Sequence, residues 1–411
     1  MGSSGNNARN STFTTLCVMG ACAIFSSTMS KNPALNPFSA SLGTPVEWSG
    51  FVAAASTIPG ILISLPAASL SDLLGRRRFL LLAGFVFASA PLTYLLITAW
   101  WQLVLVRFYH GFATAFFVPV AEASIAESFP TKRGERISLF TVATYVGRLI
   151  APISGGYILF ITNQSASYSN FRELYLVAAA AGAIALFTGF LFSAREERLK
   201  AVPQTKANDI VGKMLHGWAT VVRDRYALIV SLVQASHYYV YGAFEFFLIG
   251  YLTQVLHFSV LIPGLVGTII IGVAIFTRPY AGRVSDKMGR RIPIIAGCVV
   301  SALALVTIPF ITDFVGIFAL AVVYGIGFAA TTSSTSPLIS EIVPKELVGT
   351  SMGFLDTLMD VGQTLGPIVS GFILATTLGY TGVFLSLAAA LMLLCLVFAS
   401  VPSKRQAVTN D

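Results

Sequence analysis

Charge is the first thing this chain lacks. Asp, Glu, Lys and Arg make up 11% of its 411 residues, where a soluble domain carries about 25%. The deficit excludes a soluble globular protein. Histidine and cysteine are scarce too, at four each. The cysteines, Cys17, Cys22, Cys298 and Cys395, all fall inside apolar runs. They read as buried thiols, with neither a disulfide nor a metal site expected. A phosphate loop, a nucleophile triad and metal-ligand spacing are all missing. The glycines of GLVG near 264 and GFAT near 111 suit transmembrane packing instead. No enzyme, no cofactor and no ATP-driven engine are therefore expected. The polar start, MGSSGNNARN, shows no cleavable signal peptide and lacks the hydroxyl residue of a myristoylation signal.

Long apolar runs are what the chain has. Hydrophobic residues reach 55% and the mean hydropathy is +0.78. Twelve runs approach the ~20 residues needed to cross ~30 Å of hydrocarbon. They lie at 12–30, 47–70, 79–98, 102–127, 136–160 and 171–193, then at 226–254, 260–282, 292–312, 315–341, 350–375 and 380–401. The fold class expected is an all-α membrane protein of twelve transmembrane helices in two pseudo-symmetric six-helix bundles, 1–193 and 226–411. Residues 194–225 read as a cytosolic linker. Its stretch 208–222 is either an amphipathic surface helix or plain solvated chain.

The basic residues orient these spans. With the N-terminus in the cytosol, 21 of the 26 Lys and Arg fall on cytosolic tails and loops, two (Lys31, Arg172) on outer loops and three (Arg107, Arg148, Arg278) inside spans. The positive-inside rule therefore places both termini in the cytosol, with the protein in the cell membrane. The same placement accounts for the net charge of +8 without nucleic acid. Asn163-Gln-Ser165 is a glycosylation sequon in an outer loop, relevant only in a eukaryotic secretory pathway.

The halves repeat. Asp72-x-x-Gly75-Arg76-Arg77 matches Asp286-x-x-Gly289-Arg290-Arg291 at an offset of 214. Glu127 matches Glu341 and Gly111 matches Gly325 at that offset, and Gly147…Pro152…Gly156 matches Gly362…Pro367…Gly371 at 215. Six spans per half with the same starting side give a parallel repeat. Secondary transporters are often built so, with the solute site near the midplane between repeats.

The stretch AGRVSDKMGRR, 281–291, resembles the loop signature of the major facilitator superfamily through Gly282, Asp286, Lys287, Gly289, Arg290 and Arg291. AASLSDLLGRRR, 67–78, resembles it less fully, with Ala68 and Leu73 departing. Arg107 and Gly111 resemble the fourth-span signature. GRLIAPISGG, 147–156, resembles the fifth-span signature of the family's proton-coupled exporters, with Ala151 at its middle glycine. In the second half that glycine is present as Gly366, before Pro367. The resemblance covers the whole chain. It implies alternating access by rocking of the two halves, and a hinge at Gly147, Pro152 and Gly156. Close packing alone, on the eighth span, is the plainer reading of those residues.

The loop residues suggest latches across the halves. Asp72 and Arg76 would engage the 350-start span and Glu341; Asp286 and Arg290 would engage the 136-start span and Glu127. The plainer alternative is that the arginines only obey the positive-inside rule.

Seven ionisable residues lie inside spans: Arg107, Glu122, Arg148, Glu245, Arg278, Asp356 and Asp360. Each is costly in hydrocarbon and normally faces protein or water. The repeat does not share them. Arg107 corresponds to Ala321 and Arg148 to Gln363. Helical spacing groups Gln234, Tyr238, Tyr241 and Glu245 on one face of the seventh span, with His237 beside them. Asp356, Asp360 and Gln363 share a face of the eleventh span, and Thr141, Tyr145 and Arg148 a face of the fifth. Arg107, Gly111, Thr114 and Glu122 fall within one arc of the fourth, with His110 on its flank. Packing stripes can look similar, but charge in the stripe favours a water-filled cavity.

Two readings follow. One is proton-coupled export of small amphiphilic or drug-like molecules, with Asp360, Asp356, Glu245 and Glu122 as proton carriers. The other is an organic-anion or metabolite symporter or uniporter using Arg107 and Arg148. Either works as a monomer whose partners are a small-molecule substrate and the lipid bilayer. A non-transporting sensor or scaffold would need a soluble domain, and no stretch of this sequence reads as one.

Overall fold

The computed structural model describes residues 2–63, 71, 75–129, 131–162, 171–196, 218–219, 221–344 and 347–402, with side chains from residue 10 onward except 193–196. Most of the linker (197–217 and 220), with it most of the possible amphipathic helix, Asp72 and the sequon lie outside these residues. Long helices dominate, and no β-strand occurs among the described residues. The reason is elementary. In hydrocarbon every backbone N–H and C=O must be satisfied internally, which a helix does within its own segment.

The helices are α1 (Gly2–Met29), α2 (Leu35–Ser41), α3 (Val46–Ala54), α4 (Arg76–Tyr94), α5 (Trp100–Ser128), α6 (Arg133–Ile161), α7 (Arg172–Glu196), α8 (Arg225–Gly250), α9 (Leu261–Met288), α10 (Arg291–Thr307), α11 (Phe314–Ile342), α12 (Val348–Leu374) and α13 (Gly379–Ser400). After a turn at 55–57 the α3 segment resumes as helix through residue 63. Among the described residues, nine helices are long and apolar enough to cross a membrane. The remaining expected spans are the helices α4, α8 and α12, which carry Arg, Tyr, Gln and Asp side chains. The fold is that of an all-α membrane protein. The short α2 was not foreseen, and α8 ends in a π-helical turn, Tyr251–Val255.

Starts and reversals have local causes. Asp224 caps α8 by accepting from the N–H groups of Tyr226 and Ala227 at 3.0 and 3.2 Å. Asp313 caps α11 through Gly316 N–H at 2.8 Å. Such caps satisfy donors that the first helical turn leaves orphaned. Gly75 and Gly289 turn the chain at the repeat-related loops with φ of 94° and 84°. No atom lies within 4 Å of a Cβ built on either. Conformation, not space, therefore demands glycine there. Gly289→Ala is expected to lower stability by ~1–2 kcal/mol, read as a lower midpoint in thermal unfolding. Gly282 is helical with equally open surroundings, so alanine there should stabilise by about 0.5–1 kcal/mol.

The chain forms two compact units. Unit 1 is Met1–Thr44, Ala55–Ile210 and Ser259–Leu265; unit 2 is Pro45–Ala54, Val211–Phe258 and Val266–Asp411. Each includes a short segment from the opposite half of the sequence repeat. In unit 1, α9 begins against α6: a Cβ on Gly264 would lie 2.5 Å from the Pro152 carbonyl oxygen. In unit 2, α3 lies against α12: a Cβ on Gly50 would lie 2.1 Å from the Pro367 carbonyl oxygen. Gly156 and Gly371 complete these two crossings. Gly50 and Gly264 obey the 214 offset. A second related pair, 215 apart, is Gly147 on the Ala21 carbonyl and Gly362 on that of Ala235. Small residues let backbones approach where side chains would separate them. Pro152 and Pro367 lie inside unbroken helices, α6 and α12.

Candidate functional site

In unit 1 the site begins at Gly111. Its missing side chain lets α5 approach the Ser56 carbonyl, where a Cβ would fall 2.3 Å away. One turn earlier Arg107 Nη2 donates to Ser56 Oγ at 2.5 Å. Arg107 is only 2% exposed. A charge buried this deeply needs such partners. His110 is also buried, with Nδ1 3.4 Å from the Tyr94 hydroxyl. Tyr94 in turn stacks on Tyr175 with centroids 4.5 Å apart. His110 thus belongs to packed interior. Glu122 is half-buried about four turns beyond Arg107 on α5.

Arg148 differs. It is exposed, with its guanidinium carbon 6.0 Å from the Tyr145 ring centroid. The exposed apolar side chains of α6 are Leu139, Val142, Val146, Ile150, Tyr157, Phe160 and Ile161. At ~100° per residue, Arg148 points about 170° away from the middle of that stripe. Its exposure is therefore not to lipid. The two arginines of the anion reading have unlike environments, one buried on Ser56 and one open.

In unit 2, Gln234 is buried and accepts from the Thr335 hydroxyl. His237 is fully buried, with Nε2 3.4 Å from Cys298 Sγ. Both point into protein, away from the open path expected for them. Tyr238, Tyr241 and Glu245 are half-buried. On α12, Asp356 is exposed, and Asp360 and Gln363 are half-buried. The exposed apolar side chains of α12 are Leu365, Val369 and Phe372. The acidic face lies about 180° from them by the same angular count. All four cysteines are free thiols.

The loop arginines pair differently from the expected latches. Arg76 Nη1 lies 2.5 Å from Glu127 Oε2, within unit 1. Arg290 binds Glu341 Oε1 through Nε at 3.0 Å and Nη2 at 2.8 Å, within unit 2, and also contacts Asp286. Each arginine thus meets the carboxylate of its own half. The cause is local: the positive-φ glycine delivers the arginine to a helix start beside the end of α5 or α11. Burial would lower the pKa of Arg290, but the hydrogen bonds it donates to the Glu341 and Asp286 carboxylates outweigh this and raise it. The exposed pair contributes little, ~0.2–1 kcal/mol. Arg290→Gln should lower stability by about that amount, and a double-mutant cycle with Glu341→Gln in thermal unfolding should return a coupling of the same size.

Sequence reasoning missed Ser56 as the partner of Arg107, and Phe328 and Cys298 beside α8. It also missed Gly50, although the 214 offset from Gly264 signalled it.

Helices that turn carboxylates and arginine away from their apolar stripes, on a duplicated scaffold, define a membrane solute transporter. The chain belongs to the Major Facilitator Superfamily, which it matches over residues 16–274 and 230–410. It is 23% identical over 366 residues to the multidrug resistance protein MdtG of Klebsiella pneumoniae, covering 88% of this chain and 84% of that one. It is 25% identical over 333 residues to a multi-drug resistance efflux pump PmrA homolog of Lactococcus lactis, covering 76% and 78%. In fold it matches a bacterial homologue of the human lysosomal transporter Spinster, solved inward-facing and occupied, with TM-score 0.75 and 95% of each chain covered at 17% identity. The xylose transporter XylE of E. coli matches with TM-score 0.71 at 18% identity, over 96% and 97% of the chains.

Proposed function

We propose that this transporter exports small amphiphilic molecules across the cell membrane in exchange for protons, by alternating access, with both termini in the cytosol. The observation that carries the reading is the face of Asp356 and Asp360, set opposite the apolar stripe of α12. Carboxylates so placed reach water and can take up and release protons inside the membrane. The names of the MdtG and PmrA-type relatives support export of drug-like molecules.

Reconstituted vesicles test it directly. Vesicles with an acid lumen should accumulate an amphiphilic cation. Accumulation only from an acid bath would mean symport, and indifference to pH would mean uniport; either overturns the exchange reading. Arg148 favours one alternative, an organic-anion carrier, because it is exposed away from lipid. That reading requires anions to move and Arg148→Ala to abolish their binding.

A further inference from the structure

Helix α9 carries two cations on the face it turns to lipid. Its exposed large apolar side chains are Phe276, Tyr280, Val284 and Met288, with Phe276 71% and Tyr280 66% exposed. In a segment long and apolar enough to cross a membrane, such a stripe meets hydrocarbon. At ~100° per residue these four side chains span about 120°. Lys287 falls inside that span, and Arg283 lies about 20° beyond its edge. Both are exposed, whereas Ala281 and Ser285 of the same turns are buried. The two cations occupy the last two turns of the helix, before Gly289 reverses the chain.

The two cations that follow, Arg290 and Arg291, are engaged by protein. Arg290 holds both Asp286 and Glu341. Arg291 donates through Nη2 to the Ala399 carbonyl near the end of α13, with its guanidinium carbon 5.9 Å from the Phe398 ring centroid. Arg283 and Lys287 have no carboxylate within ion-pair distance among the described residues. What Arg283 does meet is the Tyr280 ring, whose centroid lies 5.7 Å from its guanidinium carbon. This end of α9 therefore presents two uncompensated positive charges, one turn or ~6 Å apart along the axis. The first half has no counterpart: at the 214 offset Arg283 corresponds to Ser69 and Lys287 to Leu73.

The arrangement has a chemical complement. A cation on a lipid-facing surface near a helix end extends its long side chain to the headgroup level, where anionic headgroups attract it. Toward the middle of the helix, Tyr280 and Phe276 offer ring surface to acyl chains. We propose that the end of α9 binds one anionic phospholipid, its phosphate between Arg283 and Lys287 and its chains along Tyr280 and Phe276.

Native mass spectrometry of the full chain, freed of lipid in detergent micelles, tests the site. The probes are dioleoylphosphatidylglycerol and dioleoylphosphatidylcholine, which share their chains and differ in headgroup charge. One basic side chain at a membrane surface contributes about fivefold, so the first phosphatidylglycerol should bind about twentyfold tighter than the first phosphatidylcholine. Arg283→Gln and Lys287→Gln should each remove about fivefold, and the double variant should bind both lipids alike at an unchanged thermal unfolding midpoint. Arg283→Lys should keep the preference, because it keeps the charge. Equal affinity of the wild type for the two lipids, or a preference that survives the double variant, overturns the proposal. So does an equal loss from Arg77→Gln, which would reveal attraction to net charge instead of a site. Glycerol phosphate, which has the phosphate without the chains, should not displace the bound lipid. Displacement at equal concentration would make this a soluble-anion site and sink the lipid reading.

Discussion

Asp360→Asn is expected to reduce accumulation in acid-lumen vesicles to the level of the bath. The argument is energetic. One pH unit across the membrane supplies about 1.4 kcal/mol per proton. Exchange of one proton for one monovalent cation then concentrates the cation about tenfold. An amide keeps the shape of the protonated acid but can neither gain nor lose the proton, so the gradient no longer does work on the substrate. Exchange of labelled for unlabelled substrate at equal pH should fall too, because the amide imitates the proton-loaded form that releases the cation. An unchanged thermal unfolding midpoint separates lost coupling from lost folding. Asp356 lies one turn away on the same face, and Asp356→Asn in parallel shows which acid carries the proton. Tenfold accumulation persisting in both single variants and in the double variant would remove α12 from the proton path.

Gly366→Ala is expected to be the most damaging single-methyl change in the scaffold. A Cβ there would lie 1.9 Å from the Tyr239 carbonyl oxygen and 2.8 Å from its carbon. The obstacle is backbone of α8, which cannot rotate aside as a side chain can. Overpacking typically costs ~1–3 kcal/mol, and a rigid obstacle places this change at the upper end. The repeat-related residue in the first half is Ala151, fully buried yet accommodated. The contact of α1 with α6 is thus looser at that level than the contact of α8 with α12. Cys298 and Cys395 are buried free thiols, so their reaction with a maleimide dye on heating reports unfolding. The midpoint should fall by several degrees, on the order expected for such a loss. A midpoint shared with wild type would show that the two helices can part at no cost.

Much of the fold could be read directly. Hydropathy located the spans, because a helix in lipid satisfies its backbone locally and needs only a long apolar run. The glycine and proline repeat marked the close helix crossings, because tight approach leaves a local trace in residue size. Gly147, Gly362, Gly264 and Gly50 each rest on a carbonyl of another helix. The latches were misjudged, because a loop signature names the charges and not their partners. Arg76 and Arg290 meet Glu127 and Glu341 of their own halves.

The sequence by itself determined the helical membrane fold, its duplication and the residues able to carry charge or protons. Each of these is written in local composition or in a repeat that needs no partner to be seen. Only the tertiary structure decided which of those residues are sealed and which are open. Arg107 is closed off by Ser56, fifty-one positions earlier, and His237 by Cys298, sixty-one positions later. Arg148 and Asp356 stay open. That division depends on the rotation of each helix against neighbours distant in the chain, which periodicity within a single helix does not record.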